Sequence, residues 1–260
     1  MEQAFSIYAA RESRIHRLHP LTKLSLAFFL LVAGLVLPGG WTTYALFGLV
    51  VLPLAFWSQV LSELARSAWR VVLPFAISIL LVQGLFWPGG TPVFGLGPLT
   101  FKAEGLDFAF SSTGRILLVV CSFLWFALTT RPDSLMIALT QRGLPPSLAY
   151  IIVATVQIVP RFQARAATIL DAQQARGLET QGGLLQRARA VLPLVVPLIL
   201  SSLVDVEERA LAIEARAFNH TGRKTSLTEI GEVGWEPWLR SMVLLGCIGL
   251  FGARIWLWLR

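Results

Sequence analysis

Charge is scarce in this chain of 260 residues. Only 14% of its positions are Asp, Glu, Lys or Arg, against about 25% in an ordinary soluble domain. That shortage excludes a disordered chain and strongly disfavours a soluble enzyme. Cysteine is scarcer still. Cys121 and Cys247 are the only two, both inside apolar runs, which excludes a disulfide scaffold and a cysteine metal cluster. Histidine is limited to His16, His19 and His220. A membrane-embedded hydrolase needs a nucleophile and a base at one depth, and no histidine stands in an apolar run to serve as that base. Paired carboxylates at mid-run are missing too: Asp107 opens one apolar run and Asp205 ends another. No G-x-x-x-x-G-K-[S/T] segment occurs, so the chain has no phosphate loop for ATP. The pair His16-x-x-His19 has no third ligand beside it and reads as an interfacial loop rather than a metal site.

What the chain has in abundance is apolar surface. Hydrophobic residues make up 55% of it, and mean hydropathy is +0.66. Apolar runs near membrane-spanning length recur throughout, at 24–37, 41–57, 71–87, 106–130 and 238–259. A span needs roughly 20 apolar residues, so flanking residues such as Thr22 and Gln59 have to complete the first two. Pro38-Gly39-Gly40 breaks the first pair into a hairpin, and the Gly- and Pro-rich stretch 88–105 reads as a loop. The expectation is an all-α polytopic membrane protein with about five transmembrane helices.

Between 131 and 237 the pattern changes. Two apolar stretches, 148–159 and 191–203, fall in the 10–14 residue range of buried or interfacial helices. Each runs directly into a charged helical stretch, which predicts two long helices over about 146–177 and 184–218. The domain organisation expected is a membrane domain over 1–130, a cytoplasmic region over 131–237 and a final transmembrane helix over 238–260. Lys and Arg outnumber Asp and Glu by 22 to 15, for a net charge of +7. Four basic residues lie in 1–23, two in 58–70 and eleven in 131–224, while 88–105 has only Lys102. By the positive-inside rule these basic segments face the cytoplasm, and the net charge marks those loops rather than a nucleic-acid site.

Three arginines stand out. Arg115 lies inside the fourth apolar run, where a charge costs about 2.5–3.5 kcal/mol on insertion scales. It therefore reads as partner-facing or structural, against the alternative of snorkelling to the nearer interface. The two long helices end in Ala175-Arg176-Gly177 and Ala215-Arg216-Ala217, with the arginines forty positions apart. An arginine in a last helical turn complements the helix dipole, and a left-handed stop at Gly177 and at Asn219 would complete each end. Two copies at matched helix ends favour docking over mere capping. In the second helix Val206, Ala210, Ile213 and Ala217 form a stripe at helical spacing, suited to packing on the first.

At these residues the sequence resembles the transmembrane T component of energy-coupling-factor (ECF) transporters, over essentially the whole chain. Arg17-Leu18-His19-Pro20-Leu21-Thr22-Lys23-Leu24 is similar to that family's L-[D/H]-P-x-T-K-L segment. Arg115-Ile116-Leu117-Leu118 and Thr129-Thr130-Arg131-Pro132 continue the likeness, and the two Ala-Arg-Gly-type ends are its most specific part. The first is intact. The second has Ala217 in place of glycine, which keeps the guanidinium but removes the residue suited to the helix stop, with Asn219 next in line for it.

The resemblance implies a non-catalytic importer subunit without a cofactor. Its cytoplasmic coupling helices would dock two ATP-binding-cassette ATPase subunits through Ala175, Arg176, Gly177, Ala215, Arg216 and Ala217. A separate small membrane protein, the S component, would bind a vitamin or transition-metal ion. Two rivals stand beside this reading. One is the permease of a conventional ATP-binding-cassette importer, which Asp171-Ala172, Gly177 and Leu192-Pro193 imitate in part. The other is a membrane scaffold that only recruits partners.

Overall fold

The computed structural model describes residues 13, 15–37, 39–89, 91–96, 99–178, 183–218, 220 and 231–258. Helix α1 spans Pro20–Val36. Proline at its first position lacks the N–H that a helix start leaves unpaired anyway, and His19 caps the next turn by accepting the Leu21 N–H at Nδ1. The second apolar run is one rod of three pieces: α2 (Gly40–Leu46), a π-helical turn at Phe47–Val51 and α3 (Leu52–Trp57). Pro53 has no N–H to give and its ring crowds the preceding turn. The π turn relieves that crowding, with Leu52 N–H reaching back to the Phe47 carbonyl. Gln59, at φ +59°, closes this rod in the left-handed conformation.

Helix α4 spans Leu61–Phe86 and so absorbs Arg66 and Arg70, where sequence reading placed a 58–70 loop. The reason is a buried stripe, Leu64, Ala68 and Val72, whose four-residue spacing extends the helix's core face one end past the apolar run. The 88–105 loop likewise contains an antiparallel hairpin, β1 (Pro92–Leu96) with β2 (Leu99–Lys102). These strands are too short and too interrupted by Gly and Pro to show an alternation signal. Helix α5 (Ala103–Thr129) is central to the core, contributing Leu118, Cys121, Trp125 and Leu128 against Leu30 of α1, Val51 of the π turn and Leu64 of α4. A short α6 (Pro132–Gln141) follows, then α7 (Pro146–Ala175), α8 (Leu184–Ala215) and α9 (Glu236–Trp258). Two compact units result, one holding α1–α6 and α9, the other holding α7 and α8.

Glycines allow the closest helix approaches. A Cβ on Gly105 of α5 would lie 2.2 Å from the Gln83 carbonyl oxygen of α4, and one on Gly114 would lie 2.5 Å from Thr43 Oγ1. Outward-facing Phe28, Leu35, Leu49, Phe75 and Leu80 are exposed, a surface suited to hydrocarbon rather than water. Among the described residues, five helical stretches are long and apolar enough to cross a membrane: Gly40–Trp57, Leu61–Phe86, Ala103–Thr129, Pro146–Ala175 and Glu236–Trp256. The set differs in membership from the five runs read from sequence. α1 is a shorter apolar helix, and α7 qualifies because its apolar half and its charged half form one unbroken helix. The molecule is an all-α, multi-pass membrane protein.

Candidate functional site

The ends of α7 and α8 share one backbone geometry. At the first, Gly177 has φ +91°; its N–H bonds the Gln174 carbonyl at 2.9 Å and Leu178 N–H bonds Gln173 at 3.0 Å. At the second, Ala217 has φ +54°; its N–H bonds the Glu214 carbonyl at 2.9 Å and Phe218 N–H bonds Ile213 at 3.2 Å. Both are Schellman-type stops, in which a left-handed residue lets the next N–H reach back five positions. The second stop is thus at Ala217, not at Asn219, which lies outside the described residues. A β-carbon in that conformation costs roughly 1–2 kcal/mol. The packing of the Phe218 ring on Tyr150, centroids 5.5 Å apart, helps to hold it.

This geometry puts Arg176 and Arg216 at equivalent positions, each the residue after the last helical one and before the left-handed one. Ala175, Arg176, Gly177, Ala215, Arg216 and Ala217 are all exposed. Neither guanidinium has a hydrogen-bond or ion-pair partner among the described residues. Arg131, Arg142, Arg165 and Arg240, by contrast, each hold a carboxylate.

Sequence reasoning missed what holds α7 and α8 together. Arg165 of α7 donates to both carboxylate oxygens of Asp205 in α8, at 2.5 and 3.0 Å, and to the Ser201 carbonyl at 3.1 Å. The hydrogen bonds from Arg165 hold the Asp205 carboxyl below the usual carboxylate range. Arg165 beside Asp205 and Tyr150 beside Phe218 show that the helices run antiparallel. At 1.5 Å per residue, Arg176 is then roughly 40 Å along α7 from the Tyr150 level, where the other stop is anchored. The apolar stripe expected to pack on α7 does so only in part: Ile213 is half-buried, whereas Val206 is 58% exposed and Ala210 and Ala217 are exposed too. The other half-buried positions are one step round the helix, at Ser201, Ser202, Asp205 and Arg209. The bidentate Arg165–Asp205 pair lies on this face. No local sequence signal joins Arg165 to Asp205, forty positions apart.

In the other unit, Arg115 sits at the middle of α5, half-buried, its Nε shut off from solvent with no hydrogen-bond partner among the described residues. The segment 17–24 forms a polar clasp. His19 N–H donates to Glu236 Oε1 at 3.2 Å and Thr22 Oγ1 to Glu236 Oε2 at 3.4 Å. Lys23 is buried and donates to the carbonyls of His16 and Thr129, at 3.0 and 2.9 Å. His19 Nε2 faces Glu232 Oε1 at 3.5 Å, and Glu232 also accepts from Arg142 and Arg240 at 3.1 and 2.7 Å. Burial pushes the His19 imidazole below its usual value, and the Arg240 and Arg142 hydrogen bonds do the same for the Glu232 carboxyl. The clasp thereby ties the start of α1 to the start of α9 and to the end of α5.

Comparison with known proteins agrees with this arrangement of apolar helices. The chain is 31% identical to the energy-coupling factor transporter transmembrane protein EcfT of Listeria innocua over 221 residues, 81% of this chain and 83% of that one. It is 29% identical to the protein of the same name from Bacillus subtilis over 259 residues, 94% and 96% of the two chains. The Leuconostoc gelidum protein of that name is 28% identical over 82% of each. The family described as CbiQ, cobalt transport protein, matches residues 11–227. The chain therefore belongs to the CbiQ family, as an EcfT/CbiQ-like transmembrane T component of energy-coupling-factor transporters.

Proposed function

We propose that this chain couples two ATP-binding-cassette ATPase subunits to a separate substrate-binding membrane protein, for import of a vitamin or transition-metal ion. Residues 1–130 and 238–260 form its membrane domain, and 131–237 form its coupling region. The N-terminus and the coupling region face the cytoplasm, in keeping with their excess of basic residues. The chain supplies coupling, not catalysis and not substrate choice. One observation carries the reading: two exposed arginines, without a partner among the described residues, stand at equivalent backbone stops on opposite ends of an antiparallel helix pair. Arginine's planar fork can bridge a carboxylate-lined groove bidentately, and two anchors this far apart suit two ATPases rather than one. Arg115, whose Nε is buried without a partner among the described residues, serves a partner-facing or structural role within the membrane.

The test is recovery of the ATPases on the affinity-tagged chain. Losing one member of a buried charged contact costs about 2–5 kcal/mol. Arg176→Ala or Arg216→Ala should weaken recovery, and the double variant should abolish it with the chain still inserted. Lysine at either position should rescue poorly, since it lacks the fork. Equal recovery from wild type and double variant would reduce both arginines to helix caps.

A further inference from the structure

Arg165 and Asp205 do more than join two helices. Arg176 lies eleven residues beyond Arg165 on α7, and Arg216 lies eleven residues beyond Asp205 on α8. Eleven residues make three helical turns plus about 20°, an axial run of roughly 16 Å. Each exposed arginine therefore lies at the same distance from the clamp and on nearly the same side of its helix as the clamp residue. Because the helices are antiparallel, the two arms run in opposite directions from the clamp, the α8 arm returning to α7 at Tyr150.

The prolines respect this division. Pro160 of α7 and Pro193 and Pro197 of α8 all precede the clamp residue of their helix. No proline lies within 166–175 or 206–215, so the arms lack the usual cause of a bend. The clamp is bidentate and is further tied to the Ser201 carbonyl. Such a contact resists sliding and twisting more than an apolar contact of equal area, because both hydrogen bonds fail together when the planes rotate.

We propose that the Arg165–Asp205 pair is the pivot of a two-armed lever. It is a positioning pair that makes a displacement at one arginine end appear at the other. The inference rests on the docking reading above and adds the element that links the two docked ends.

The experiment uses the full chain purified with its two ATPases. Cys121 and Cys247 are replaced by alanine, and spin labels are placed at the exposed positions Ala172 and Ala212, each seven residues out along an arm. Distances are measured before and after ATP is added. Wild type should give one population that shifts with ATP. Asp205→Ala should retain the ATPases yet give a broadened distribution that no longer shifts. The charge swap Arg165→Asp with Asp205→Arg should restore both the narrow distribution and the shift. If Asp205→Ala loses the ATPases, the swap decides: recovery of complex and shift together supports the pivot. A narrow distribution that shifts normally in Asp205→Ala overturns the pivot while the docking reading stands. Failure of the swap to restore the shift also overturns it, reducing the pair to one local contact among others. Undiminished ATPase recovery by Arg176→Ala with Arg216→Ala overturns the docking reading instead, whatever the labels report.

Discussion

Ala217 stands at the same point of its helix stop as Gly177 does, one residue past the arginine and in the left-handed conformation, at φ +54° against +91°. The two stops use the same pair of backbone hydrogen bonds. An alanine thus occupies a position where glycine is the unstrained residue. Ala217→Gly should tighten the end of α8 by about 1 kcal/mol, and Gly177→Ala should loosen the end of α7 by a similar amount, since open space surrounds Gly177 and only backbone strain is at stake. Hydrogen exchange at the Phe218 and Leu178 amides reads both. Slower exchange at Phe218 is expected in the first variant, and no change would mean that Ala217 bears no strain.

The clasp at His19 predicts a pH dependence. Both His19 and Glu232 have folded-state values below their ordinary ones of 6.5 and 4.5. The folded chain therefore binds fewer protons than the unfolded chain, and stability rises with pH through each window. The contribution of His19 is full above 6.5 and is lost as pH falls below it, because protonation places charge in a buried site beside Arg240 and Arg142. That of Glu232 goes below 4.5. His19→Asn keeps a side-chain acceptor for the Leu21 N–H but does not titrate. Its thermal midpoint in detergent should fall less between pH 7.5 and 5 than that of wild type. Parallel curves would count against the clasp as the titrating element.

Gly105 predicts a steric effect. Its Cβ would meet the Gln83 carbonyl at 2.2 Å, a backbone atom that cannot rotate away. Gly105→Ala should destabilise the α4–α5 contact by about 1–3 kcal/mol, as overpacking does. Gly48→Ala is the control, with nothing within 4 Å of the added methyl. Thermal unfolding in detergent should separate the two, and equal midpoints would contradict the close α4–α5 approach.

Arg115→Leu tests the charge within α5 whose Nε is buried without a partner among the described residues. Removing a costly intramembrane cation should leave insertion intact or improved. The yield of the complex with its membrane partner should fall if the guanidinium faces that partner. Unchanged yield and unchanged transport would return Arg115 to a purely internal role.

Much of this molecule was readable from its residues one segment at a time. Hydropathy located the apolar runs, and the two long helices read over 146–177 and 184–218 fold as Pro146–Ala175 and Leu184–Ala215. Arg176 and Arg216 were visible as repeated helix ends because a last-turn arginine followed by a small residue is a local pattern. The start of α4 at Leu61 and the strands at 92–102 were not, since Arg66 and Arg70 mask the sparse Leu64, Ala68 and Val72 stripe and Gly and Pro interrupt the strands.

What only the tertiary structure decided depends on residues far apart in the chain. His19 meets Glu236 across more than two hundred positions, and Arg165 meets Asp205 across forty. Neither carboxylate carries a local sign of its partner. Ala217 shows the same limit at short range. Residue preference pointed to Asn219, yet the Phe218–Tyr150 contact and the reach-back hydrogen bond outweigh the strain of an alanine. Local preference favours a conformation by about a kcal/mol, and a few packed contacts are enough to override it.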